Sequence, residues 1–138
     1  MSSDNIELVN EAVRRVDEAF RRVDDLSALA RLWHLESRVT LAAGWPESGP
    51  FVGREAIVRQ FERGFADFSE NHFEELEIAA DSGEWVVATW VWRARGTVSG
   101  LDVQFDVAAA FRVRDGQLIE GHFRWNREQA LEAADIAR

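Results

Sequence analysis

The chain has 138 residues, 46% of them hydrophobic and 30% charged, which suits one domain with a buried core. Its formal net charge of −9 argues against nucleic acid or an anionic membrane surface as a partner, because both need clustered Lys or Arg. The absence of cysteine and tyrosine removes disulfides, thiolate nucleophiles, Cys-based zinc sites and phenolic acids.

From the N-terminus, Ile6, Val9, Val13, Val16, Phe20 and Val23 recur at three- and four-residue steps. That spacing predicts an amphipathic helix, which Ser3 or Asp4 can cap. A second short helix is expected after Asp25, with Leu26, Leu29, Leu32 and Trp33 as its apolar stripe. Residues 38–43 read as a short strand, and the Gly- and Pro-rich stretch 44–50 as a loop. Gly53 opens a third helix running to about Phe68, with Ile57, Val58, Phe61, Phe65 and Phe68 on its apolar face.

After Asn71 the hydrophobic period changes to two. Four strands are predicted, at 73–80, 84–95, 101–114 and 117–126, joined by tight turns at Asp81-Ser82-Gly83 and Asp115-Gly116 and a longer turn at 97–100. A final short helix spans 127 to about 137. This order predicts an α+β fold, three N-terminal helices packed on a curved antiparallel sheet with a short C-terminal helix. No linker or repeat divides the chain, so one domain is expected over 1–138, its core about 5–134. No apolar run approaches the ~20 residues of a membrane span, and the acidic start lacks a signal-peptide core; a cytoplasmic protein is the expectation.

Strand alternation sorts the side chains by face. Val86, Ala88, Trp90, Trp92 and Ala94 share one face of their strand, as do Val103, Phe105, Val107, Ala109, Phe111 and Val113 of the next. Ile119, Gly121, Phe123 and Trp125 share one face of the last. These apolar sets are expected to face the helices, and Trp90, Trp92, Phe105, Ala109, Phe123 and Trp125 to line a pocket with Trp33, Trp45, Phe61 and Phe65. Trp45, in a Gly/Pro loop, is a candidate lid or a loop anchor over the pocket opening. The tryptophans at 90, 92 and 125 suit either a filled core or ligand contact, since buried indole N–H groups need partners. A ligand site of the usual size would need a cavity of about 300 Å³ or more.

The opposite face carries Glu120, His122, Arg124, Asp106 and Arg112, expected to form cross-strand charge pairs, around a partly apolar centre of Ala108, Ala110, Thr89 and Val91. A flat face of that character suits a homodimer contact. Among titratable residues, His34 at the end of the second helix, His72 ahead of a strand, and Glu47 in the Trp45 loop are the candidates for acid–base work. Each also has a plain reading, as a helix-end or surface residue. The three histidines are too far apart for a helix-borne pair, so no metal site and no cofactor are expected.

Several strings carry a resemblance: FVGREAI at 51–57, WRARGT at 92–97, FRVRDGQLIE at 111–120 and NREQALEAA at 126–134. In this order and spacing, over about residues 5–134, they resemble the SnoaL-like branch of the nuclear-transport-factor-2-like superfamily. The resemblance implies a cone-shaped fold with a ketosteroid-isomerase- or polyketide-cyclase-like pocket, but not one activity, because the superfamily hosts isomerases, cyclases, dehydratases and binding modules. Its enzymes use pocket carboxylates of raised pKa. At the positions where such members carry them, this sequence has Ala42-Ala43-Gly44, Ala109 and Phe123. Three functions are therefore carried forward. One is binding of a small apolar molecule, aromatic, polyketide- or steroid-like. Another is an acid–base enzyme relying on His34, His72 or Glu47. The third is a dimeric association module with a filled interior.

Overall fold

The computed structural model describes residues 2–22, 32–45 and 49–135, without the side chains of 2–3, 15–22, 64 and 65. In chain order the elements are α1 (Ser2–Arg22), β1 (Trp33–Thr40), β2 (Phe51–Val52), α2 (Arg54–Phe65), β3 (Phe68–Ser82), β4 (Trp85–Gly96), β5 (Asp102–Arg114), β6 (Gln117–Arg124) and α3 (Arg127–Ala133). The six strands form one sheet in the order β2-β1-β6-β5-β4-β3.

Two features correct the expected architecture. One helix, rather than three, precedes the first strand among the described residues. The second helix expected from Asp25 falls mostly outside them, and its supposed end, Trp33 and His34, belongs to β1. Trp33 is 3% exposed and pairs with Leu118 of β6, so a strand register rather than a helical stripe buries its indole. The helix α2 follows β1 and β2 instead of belonging to an N-terminal group. The sheet is also mixed, not purely antiparallel, because β1 runs parallel to β6 while every other neighbouring pair is antiparallel. The chain between β1 and β3 carries α2, which packs on β1 and β2.

The helix α1 forms as its spacing predicts. Val9, Ala12 and Val13 are buried, and the helix packs on β3 and β4. Gly53, at φ 95°, turns the chain into α2, and its N–H donates to the Ser37 carbonyl at 2.8 Å. Arg54 then donates from Nε to the Trp33 carbonyl at 2.9 Å, tying the start of α2 to β1. The helix ends at Phe65, three residues short of the expected limit. Phe68 instead begins β3, its ring set edge-on to Trp92 and Phe105.

Alternation along β4 and β5 holds. Val86, Ala88, Trp90, Ala109, Phe111 and Val113 enter the main core with Trp33, Val39, Ile57 and the α1 residues. Two strands break strict alternation. In β3 the register slips at three places, and Glu70 and Glu75 adopt φ of 54° and 57°. In β6 the register shifts between Arg112–Glu120 and Val113–Leu118, so Ile119 is an extra residue. Leu118 is therefore the fully buried residue, at 0% exposure, in place of the expected Ile119.

Part of the outer face is covered by the C-terminal segment. Ala130, Leu131 and Ala134 of the C-terminal segment pack on Val87, Ala108 and Ala110, forming a second buried cluster. Asn126 caps α3 by accepting from the Gln129 N–H at 2.9 Å. The chain itself thus covers Ala108 and Ala110 of the expected apolar centre, while Thr89 and Val91 lie outside that cluster and are half-buried. No described helix is long and apolar enough to cross a membrane.

Candidate functional site

The core between the sheet and the helices is incompletely filled. A cavity of about 100 Å³ remains, bordered by Ala12 and Val13 of α1, Gln60 and Phe61 of α2, and Leu41, Ala42 and Trp45 after β1. The sheet contributes Trp33, Phe73, Trp90, Trp92, Val107, Phe111 and Phe123, and Leu32, Arg124 and Trp125 complete the lining. The volume is well below the ~300 Å³ expected of a ligand site. A steroid- or polyketide-sized molecule therefore has no room with the side chains placed as they are. The space is comparable to one small ring, since an apolar cavity of about 150 Å³ accepts benzene.

Trp45 forms part of the cavity wall. Its ring lies between those of Trp92 and Trp125, stacked at centroid distances of 6.0 and 5.8 Å. Phe105 packs on Trp92 at 4.8 Å and so lies behind the tryptophans rather than on the cavity wall. Of the other expected lining residues, Ala109 is fully buried in the core and does not border the cavity. The side chain of Phe65 lies outside the described residues. Trp33, Trp45, Phe61, Trp90, Trp92, Phe123 and Trp125 all border it.

The three lining indoles on or near the β4–β6 face differ in their N–H partners. Trp92 Nε1 donates to Asn71 Oδ1 at 2.8 Å, and that amide is itself 5% exposed. Trp125 Nε1 donates to the Ala43 carbonyl at 2.8 Å, pinning the chain ahead of Trp45. Trp90 Nε1 is buried and has no hydrogen-bond partner among the described residues. An unpaired buried donor of this kind costs about 1–3 kcal/mol.

None of the described candidates for acid–base work reaches this space. His34 alternates with the inward Trp33, and its Nδ1 accepts from the Glu36 N–H at 3.0 Å in a local turn. His72 alternates with the inward Phe73 and pairs with Glu74 at 3.2 Å. Glu47 lies outside the described residues. Among the described residues no Asp, Glu or His borders the cavity, and no group of three His, Asp or Glu is placed to hold a metal. Phe123 and Ala42 present hydrocarbon to it.

The titratable groups gather instead on the outer face. Arg112 bonds Glu84 and Glu120 at 3.0 Å each, and its guanidinium lies 5.9 Å from the Trp85 ring centroid. Arg114 also bonds Glu84, and hydrogen bonds from Arg114 and then Arg112 hold the Glu84 carboxyl down to about 2. Burial acts to raise Glu120, but hydrogen bonds from His122 and Arg112 outweigh it and the net shift is downward. His122 bridges Glu120 and the Thr40 hydroxyl, at 2.9 and 2.7 Å. The expected charge pairs are thus present for Arg112, Glu120 and His122. Arg124 departs from that expectation. It donates to Thr40 Oγ1 at 3.0 Å and to the Phe123 carbonyl at 2.8 Å, both neutral, and desolvation lowers its pKa.

Alternation identified the inward rings but missed Val13, Leu41, Gln60 and Phe73. The loop after β1 places Leu41 and the slipped register of β3 places Phe73, and neither shows in a two-residue period; Val13 and Gln60 come from α1 and α2, where strand alternation does not apply.

A mixed six-stranded sheet, with a long helix on one face and an aromatic cavity beneath it, defines a nuclear-transport-factor-2-like α+β protein. The SnoaL-like domain model matches residues 13–121, and the chain belongs to that family. An NTF2-like protein from Anabaena variabilis superposes with a TM-score of 0.78 at 13% identity, covering 94% of each chain. An NTF2-like protein from Burkholderia xenovorans gives 0.70 at 18% identity, covering 97% of each. The epoxide hydrolase/cyclase-like enzyme SalBIII, with a role in pyran ring formation in the polyether salinomycin, gives 0.66 at 18% identity over 88% of this chain and 90% of that one. At such identities the likeness concerns the fold. No curated protein matches the sequence.

Proposed function

We propose that this SnoaL-like protein binds one small, largely apolar molecule, about the size of a single ring, in the cavity beneath α1 and α2. The observation that carries this reading is a lining of aromatic and aliphatic side chains, with Gln60 and Arg124 beside them and no described carboxylate or imidazole. General acid–base catalysis needs a titratable group within hydrogen-bond reach of the reacting atoms. The cyclase-like activity printed for SalBIII is therefore not carried over to this chain. Binding by burial asks only for apolar contact and exclusion of water. For a six-atom ring, a ligand-efficiency ceiling near 1.5 kcal/mol per heavy atom limits affinity to about micromolar or weaker.

The small volume favours a second reading, an association module whose interior Trp45 fills. Tryptophan fluorescence separates the two. Single-ring compounds are expected to quench the wild type, while two-ring and steroid compounds do not. Trp45→Ala removes the ring stacked between Trp92 and Trp125 and is expected to admit the two-ring compounds. If no compound changes the emission of either protein, the binding reading is wrong and the filled module takes its place.

A further inference from the structure

We infer that the ligand is a single-ring carboxylate whose carboxyl group lies at the cavity rim on Arg124; this rests on the binding reading above. The inference starts from a contrast among the arginines of the sheet. Arg93 and Arg95 of β4 pair with Glu74 and Asp102, and Arg112 and Arg114 of β5 pair with Glu84. Arg124, the last residue of β6, borders the cavity and is half-buried, yet it has no carboxylate partner among the described residues. Hydrogen bonds to carboxylates push the pKa of the four paired arginines up, whereas desolvation pushes that of Arg124 down.

The guanidinium is held in place by one nitrogen and left open at the other two. Its Nη1 donates to Thr40 Oγ1 and to the Phe123 carbonyl, at 3.0 and 2.8 Å. Thr40 directly precedes Leu41 and Ala42 of the lining, and Phe123 and Trp125, on either side of Arg124, belong to it too. Nε and Nη2 have no partner among the described residues, and neither is shut off from solvent. Those two nitrogens form one edge of the planar group, an edge that receives a carboxylate in two parallel hydrogen bonds. Holding a partly desolvated cation against two neutral acceptors costs free energy that a neutral glutamine in its place would avoid. An anion brought by the ligand removes that cost, and no described Asp or Glu borders the cavity to do so instead. The cavity of about 100 Å³ takes the ring, while the carboxylate stays at the rim, where water and Arg124 both solvate it.

Benzoate and nitrobenzene test this directly, since they share shape and size and differ in charge. Each is titrated into ¹⁵N-labelled protein near neutral pH. The tryptophan indole N–H resonances report occupancy of the cavity, and the Arg124 Nε–H, assigned through its own backbone, reports the pairing. Benzoate is expected to bind the wild type about tenfold more tightly than nitrobenzene and to move the Arg124 Nε–H downfield, as a charge-assisted hydrogen bond implies. Arg124→Gln should weaken benzoate about tenfold and leave nitrobenzene unchanged, as loss of that bond implies. The wild-type titrations decide the matter even if the variant does not fold. Three results overturn the inference and leave the binding reading standing: nitrobenzene binding as tightly as benzoate, benzoate binding without moving the Arg124 Nε–H, or a variant that weakens both compounds equally. If neither compound perturbs any indole resonance, the binding reading falls and the inference falls with it.

Discussion

Gly121 shows how one residue can position an aromatic wall. A Cβ built at this glycine would lie 2.7 Å from Cη2 of Trp33, inside contact distance of a ring that is itself held by Phe61 and Phe111. Trp33 cannot swing away like the tip of a flexible chain. Gly121→Ala is therefore expected to destabilise the fold by about 1–3 kcal/mol, as overpacking does. A denaturant titration with an unchanged m-value and a lower midpoint would show it; an unchanged midpoint would mean that the indole yields. At this scale the candidate site was partly legible. The inward tryptophans could be named from alternation because a strand's side chains have only two directions. His34 was assigned wrongly to a helix end, because a single Trp-His pair fits either period. The unmet donor of Trp90 carried no sequence signal at all, since its two neighbours differ from it only in having Asn71 and the Ala43 carbonyl nearby.

Between elements, the outer face of β4, β5 and β6 is joined by charge. Glu84 precedes β4 and accepts from both Arg112 and Arg114 of β5, which holds its carboxyl at about 2 against an ordinary 4.5. A carboxylate depressed in the folded state stabilises fully above its unfolded pKa, and that contribution is lost as pH falls through the folded value. The stability difference between wild type and Glu84→Gln is thus expected to be constant above about 4.5 and to shrink from there down to about 2. Because the pair is exposed, the difference should also shrink with added salt. Thermal unfolding of both proteins across that range provides the check, and a difference independent of pH would exclude the pairing as its source. The strands β4 and β5 were readable in advance because an uninterrupted ladder keeps strict alternation. The slips in β3 and the extra Ile119 in β6 were not, because a bulge is chosen by the partner strand and leaves no mark in composition.

For the whole molecule, the C-terminal helix decides what the sheet presents. Leu131 is 4% exposed and belongs to the cluster that covers Val87, Ala108 and Ala110. Leu131→Ala is expected to cost about 2 kcal/mol, toward the lower end for a buried leucine because a short terminal helix can settle into the gap. Light scattering should report the same oligomeric state for wild type and variant if α3 alone covers that patch. Association appearing only in the variant would mean that Leu131 guards a latent pairing surface. By itself the sequence determined the α+β class, the family resemblance, the inward rings of β4 and β5, and the lack of acids at the family's usual positions. Those follow from local period and residue identity. Tertiary structure alone decided that β1 lies parallel beside β6, that α3 covers Val87, Ala108 and Ala110 of the outer sheet, that Trp45 stacks with Trp92 and Trp125 at the cavity, and that Trp90 Nε1 is buried without an acceptor among the described residues. Each of these depends on which distant segment lies against which, and residue spacing along the chain does not encode that.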